Sequence, residues 1–112
     1  AGGFAENAAQ AGGYFGSKLR ELMRDYACIG EVRGRGLMIG MELVESDPER
    51  TPARALCDAV ITRAFHNGLL LLSCGTSTVR FIPPLNVERA EIDEAIALLR
   101  ISLDEALAGT RG

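Results

Sequence analysis

The sequence has no tryptophan, one histidine and one lysine. A single histidine, His66, leaves no serine–histidine–carboxylate arrangement legible. With no cysteine near it in the chain, it also lacks metal-ligand spacing. The three cysteines, Cys28, Cys57 and Cys74, are odd in number, widely spaced and without a CxxC pair. That argues against a disulfide framework or a zinc site and fits a reducing, cytoplasmic compartment. Surplus positive charge is missing too. The net charge is −3 and the basic residues are scattered, so neither nucleic acid nor an anionic membrane is an expected partner. No apolar run nears the ~18–20 residues that span a bilayer. The opening AGGFAENAAQ has neither the basic nor the apolar region of a signal peptide. Ala1 stands where an initiator Met would, and processing or excision from a longer chain would each leave it so.

What remains is ordinary in composition. At 112 residues, 47% apolar and 24% charged, residues 1–112 suit one soluble domain with a modest core. Phe4, Ala8, Ala11, Phe15, Leu19, Leu22 and Met23 recur at three- and four-residue steps, predicting a helix over residues 4–26. Gly12, Gly13 and Gly16 weaken it, which predicts close packing along that stretch. Ile29 and Val32, then the alternation Leu37, Ile39, Met41, Leu43, predict two strands. Gly34 and Gly36 are expected in a bend or bulge between them.

Residues 46–49 read as a turn, and Thr51-Pro52 as the opening of a second helix with Pro at its first position. Leu56, Ala59, Val60 and Ala64 mark its buried face, and His66-Asn67-Gly68 closes it with Gly68 just past the end. Residues 69–73 suit a strand buried on both faces, residues 74–77 a turn, and residues 78–82 another strand ended by Pro83-Pro84. The last helix is expected from about residue 87. Asn86 is its N-cap, there is no capping box, its stripe runs from Ile92 to Leu107, and residues 108–112 form a frayed tail. The fold class is therefore α+β, in the order α-β-β-α-β-β-α. A small antiparallel or mixed sheet carries helices on one face.

Few residues offer chemistry. His66 falls at an expected helix end, where an imidazole meets the last carbonyls. Cys74 is read as a small apolar residue. RGRG, residues 33–36, matches neither a P-loop nor a GxGxxG fingerprint, because a strand follows it. Arg80 stands apart in the apolar strand TVRFIPPL. It either faces solvent on an edge or aims its guanidinium at an anion, and the planar fork suits a carboxylate.

Three segments together resemble class III pyridoxal-phosphate aminotransferases. VRGRGLMIGMEL resembles that family's VRGxGLMxGxE hairpin, GLLLLSCG with TVRFIPPLNV its C-terminal strand pair, and EIDEAIALLRISLDEAL its closing helix. The LLSCG run is more similar to 4-aminobutyrate aminotransferases than to acetylornithine ones. The resemblance implies a C-terminal domain whose partner is the large domain of the same protein, in a homodimer. The activity implied is transfer of an amino group from an ω-amino acid such as 4-aminobutyrate to a 2-oxo acid, through a Schiff base of pyridoxal phosphate. Arg80 would be substrate-binding: it would grip a substrate carboxylate or pair with a large-domain glutamate. Gly34 and Gly36 would be structural. The Schiff-base lysine and the cofactor site would lie in the missing large domain, so this chain alone is expected to hold no cofactor and to be inactive. Two other readings compete: a free-standing small-acid-binding or regulatory module, and an interaction domain without a ligand.

Overall fold

A computed structural model describes residues 3–35, 38–45, 48–81 and 88–111. The elements follow in the expected order: α1 (Gly3–Asp25), β1 (Ile29–Arg35), β2 (Met38–Leu43), α2 (Arg54–His66), β3 (Leu72–Cys74), β4 (Thr78–Phe81) and α3 (Arg89–Arg111). The strands form one antiparallel sheet in the order β1-β2-β4-β3.

The two-residue strand period decides which side of the sheet is which. Ile39, Met41 and Leu43 on β2 and Val79 and Phe81 on β4 are buried. Gly40, Glu42, Thr78 and Arg80 alternate with them and are partly exposed. Helices cover the apolar side, α1 against β1 and β2, and α2 against β2, β3 and β4. α3 packs on both α1 and α2 and bridges them. Phe15 of α1 meets Phe81 of β4 with ring centroids 5.0 Å apart. Leu19, Met41, Leu43, Val60, Val79, Leu99 and Leu103 are fully buried, and each large side chain contributes roughly 1.5–3 kcal/mol on leaving water.

A β-bulge reconciles the spacing of β1 with this scheme. Ile29 and Val32 are both buried although three residues apart, which a regular strand forbids. Ile29 pairs with Leu43 and Glu31 with Glu42, so Gly30 is the extra residue. A Cβ at Gly30 would sit 2.8 Å from Val44 Cγ1, which is why glycine stands there. The expected bend glycine Gly34 instead lies within β1, paired with Ile39, and Gly36 falls outside the described residues. Two of the three glycines singled out in α1, Gly13 and Gly16, have no close neighbour from another element, while Gly12 is buried. A Cβ at Gly13 would meet nothing within 4 Å, and one at Gly16 only the guanidinium of Arg20 on the same helix.

α1 and α3 run parallel, tied at two places. Tyr14 donates to Asp93 at 2.5 Å and Tyr26 donates to Asp104 at 2.6 Å. Arg89 lies over the Tyr14 ring and Arg100 over the Tyr26 ring, at 4.8 Å and 5.6 Å from the centroids. Arg100 also pairs with Asp25 at 3.1 Å. α2 is tied to α3 through Asn67, whose side-chain amide donates to Ser102 Oγ at 3.1 Å and to Glu105 Oε1 at 2.9 Å.

Several boundaries differ from expectation. α2 starts at Arg54 with Ala53 as its N-cap, not at Pro52. Pro52 bridges Val44, and the backbone N–H of Ala53 donates to Leu43, so this segment extends the end of β2 before the helix can begin. At the other end, Gly68 follows the cap with φ +93°, as its position predicts. His66, however, does not serve the last carbonyls. The backbone N–H groups of Asn67, Gly68 and Leu69 take them, and His66 is exposed with its ring edge-on to Phe65.

The strand expected over residues 69–73 is shorter and less buried: β3 is a three-residue edge strand with Leu70 70% and Leu72 46% exposed. Helices cover only one face of the sheet, so Leu71 is buried while Leu72, pointing the other way, is left exposed. α3 has part of a capping box after all, since Glu91 accepts from the backbone N–H of Glu88 at 3.1 Å. The expected N-cap, Asn86, lies outside the described residues, as do Ile82 and the two prolines after it. The expected tail is helical to Arg111, because Ala106 and Leu107 pack into the core and carry the helix through. Among the described residues no helix is long and apolar enough to cross a membrane, and no three His, Cys, Asp or Glu side chains cluster as metal ligands.

Candidate functional site

The open side of the sheet carries the candidate site. Arg80 is on β4, an inner strand, so it does not sit on an edge. Buried Val79 and Phe81 on either side turn its side chain to the uncovered face. Gly40 on β2 and Leu72 on β3 are its cross-strand partners. Gly40 in turn pairs with Arg33 on β1. Arg33, Gly40, Arg80 and Leu72 therefore make one row across the sheet, with side chains directed to the same face.

A depression of about 320 Å³ opens on this row, lined by Arg33, Gly40, Glu42, Cys74, Thr78 and Arg80 among others. Gly40 forms its floor by contributing no side chain. The two arginines differ in what they touch. Arg33 lies 3.4 Å from Glu31 and 3.6 Å from Glu42, so its charge is largely met. Arg80 donates from Nη2 to Cys74 Sγ at 3.1 Å. Among the described residues no carboxylate lies within ion-pairing distance of it. A guanidinium has five N–H donors, and a sulfur is a weak acceptor, so most of Arg80's capacity is left over. The row can receive an anion at Arg80, and a carboxylate matches its planar fork.

Sequence reasoning singled out Arg80 but not its neighbour. Cys74, read as an apolar filler, lies on the open face in contact with Arg80. The cysteine that does act as a small core residue is Cys57. Burial pushes the thiols of Cys28 and Cys57 up, so neither is poised as a nucleophile. Arg33 lines the depression, yet the RGRG segment is largely strand, and Glu31 and Glu42 occupy its arginine.

Lys18 does not have the surroundings of a Schiff-base lysine. It lies on α1, 3.5 Å from Glu21 and 5.5 Å from the Tyr14 ring centroid. The charge of Glu21 holds its ammonium above the usual lysine range, whereas a lysine that attacks a carbonyl must shed its proton readily. Lys18, the chain's single lysine, thus does not fit as the Schiff-base lysine for pyridoxal phosphate.

A family model for class-III aminotransferases matches residues 1–103. The chain is 38% identical over 89 residues to the 5-aminovalerate aminotransferase DavT of Pseudomonas aeruginosa, covering 78% of this chain and 21% of that protein. To the ornithine aminotransferase of Bordetella pertussis it is 39% identical over 110 residues, covering 98% and 24%. Its fold superposes on the lysine aminotransferase of M. tuberculosis with a TM-score of 0.82 at 38% identity, covering 93% of this chain and 22% of that one. The chain thus spans less than a quarter of the length of these relatives. On that match, which runs through nearly every described element, the chain belongs to the class-III aminotransferases.

Proposed function

We propose that the chain is the C-terminal part of a longer pyridoxal-phosphate-dependent transaminase. The parent moves an amino group from an ω-amino acid, of which 4-aminobutyrate is our first choice, to a 2-oxo acid. Relatives named for 5-aminovalerate and ornithine support this donor class, since both amino acids carry an amine remote from a carboxylate. The cofactor, held by the large domain, supplies the electron sink when bound. The role of the present chain is to bind and orient. Arg80 takes the donor's carboxylate through two parallel hydrogen bonds, or a large-domain glutamate when no such carboxylate is present. The observation that carries this reading is the uncompensated guanidinium of Arg80 on the open face of the sheet.

The face around it is built to be covered. Leu72 in the Arg80 row and Leu70 just before β3 are exposed, and the large domain of a homodimeric, cytoplasmic parent would enclose them. The test is amino transfer by the full-length protein, supplied with pyridoxal phosphate, 4-aminobutyrate and 2-oxoglutarate. Turnover is expected from the full-length protein and not from residues 1–112 alone. Turnover by residues 1–112, or its absence in the full-length protein with every ω-amino acid tried, would overturn the proposal.

A further inference from the structure

We propose that Cys74 is a positioning residue for Arg80: its sulfur sets the direction of the guanidinium without neutralising it. This rests on the reading of Arg80 as the carboxylate-binding arginine. Arg80 Nη2 donates to Cys74 Sγ at 3.1 Å. The register places the two on a diagonal of the β3–β4 hairpin, with Leu72 opposite Arg80 and Cys74 opposite Thr78. A long side chain spans such a diagonal. The pairing of Ser73 with Val79 between those two pairs fixes that offset, and Gly75 takes the φ of +71° that the following turn needs.

The chemistry of the acceptor matters as much as its place. A carboxylate at position 74 would take two donors of Arg80 and cancel its charge. Sulfur accepts weakly, so among the described residues one donor is engaged and four remain for an incoming anion. The carboxylate that lines the same depression, Glu42, is held by Arg33 at 3.6 Å. Gly40, opposite Arg80, places no side chain in the way. The guanidinium is therefore aimed, charged and unobstructed.

Steady-state kinetics of the full-length enzyme test this, with Arg80→Ala, Cys74→Ala and Cys74→Ser each made in it and the fold checked by circular dichroism. Arg80→Ala is expected to raise KM for the carboxylate-bearing donor. Cys74→Ala is expected to raise it about two- to threefold, the low end for a hydrogen bond because sulfur accepts weakly, with kcat near wild type. Cys74→Ser keeps an acceptor and is expected to restore most of that loss. If Arg80→Ala leaves KM unchanged, the carboxylate reading fails and the positioning role of Cys74 fails with it. If Arg80→Ala raises KM while Cys74→Ala does not, Arg80 keeps its role and Cys74 has no part in positioning it. Equal defects in Cys74→Ala and Cys74→Ser would also overturn the proposal, because side-chain bulk and not hydrogen bonding would then be at work.

Discussion

Tyr26, one residue past the end of α1, donates its hydroxyl to Asp104 on α3 at 2.6 Å, in a site where the tyrosine is buried and the carboxylate exposed. Burial first, and then that hydrogen bond, push the phenol up to about 12. A raised pKa means that the folded state favours the neutral phenol. The stability this confers is fully present below about pH 10, the unfolded value, and is lost as pH rises from there to about 12. Tyr26→Phe should cost about 1 kcal/mol at neutral pH, since solvent around Asp104 screens the pair. Urea unfolding at several pH values would check both points. The gap between wild type and variant should narrow above pH 10, and a constant gap up to pH 12 would contradict the linkage.

Gly30→Ala should destabilise the chain by roughly 1–3 kcal/mol, because its Cβ would press on Val44. Val44→Ala in the same chain should recover part of that loss. Thermal melts of the single and double variants would show non-additivity, and simple additivity would remove the steric explanation.

Arg33 holds Glu42 away from Arg80. Arg33→Ala should free that carboxylate to compete for Arg80 and raise KM for the donor about two- to fivefold, a modest change in one charged hydrogen bond. Adding Glu42→Gln should bring KM back toward wild type. Kinetics of the full-length enzyme would decide, and a double variant as impaired as Arg33→Ala would point elsewhere.

Lys18 pairs with Glu21 on α1, away from the open face of the sheet. Lys18→Arg in the full-length enzyme should retain wild-type turnover and the visible absorbance of the bound cofactor. A variant that lost both would place Lys18 in the chemistry.

Alternation of apolar residues made the sheet faces legible, and with them the exposure of Arg80. The order of elements followed from punctuation by Gly and Pro. Four features were not legible, each for a physical reason. The contact of Arg80 with Cys74 depends on hairpin register, which a three-residue edge strand does not announce. The tyrosine–aspartate ties join residues 79 and 78 positions apart, beyond any local pattern. The bulge at Gly30 shows in the chain only as a broken strand period between Ile29 and Val32, and the denser glycines that follow mask it. The capping pair Glu88–Glu91 was hidden because Asn86 looked the better cap.

The parallel course of α1 and α3 has a consequence for how the chain is connected. Each helix has 23 residues, or about 34 Å of length. The tie of Tyr14 to Asp93 sets α3 about seven residues, or roughly 10 Å, further along than α1. Gly3 and Arg111 therefore lie at opposite ends of the helical side of the sheet. Whatever precedes Gly3 attaches far from anything joined after Arg111. A reporter fused to each end should show weak energy transfer, and a short loop could not join the two ends into a circular permutant.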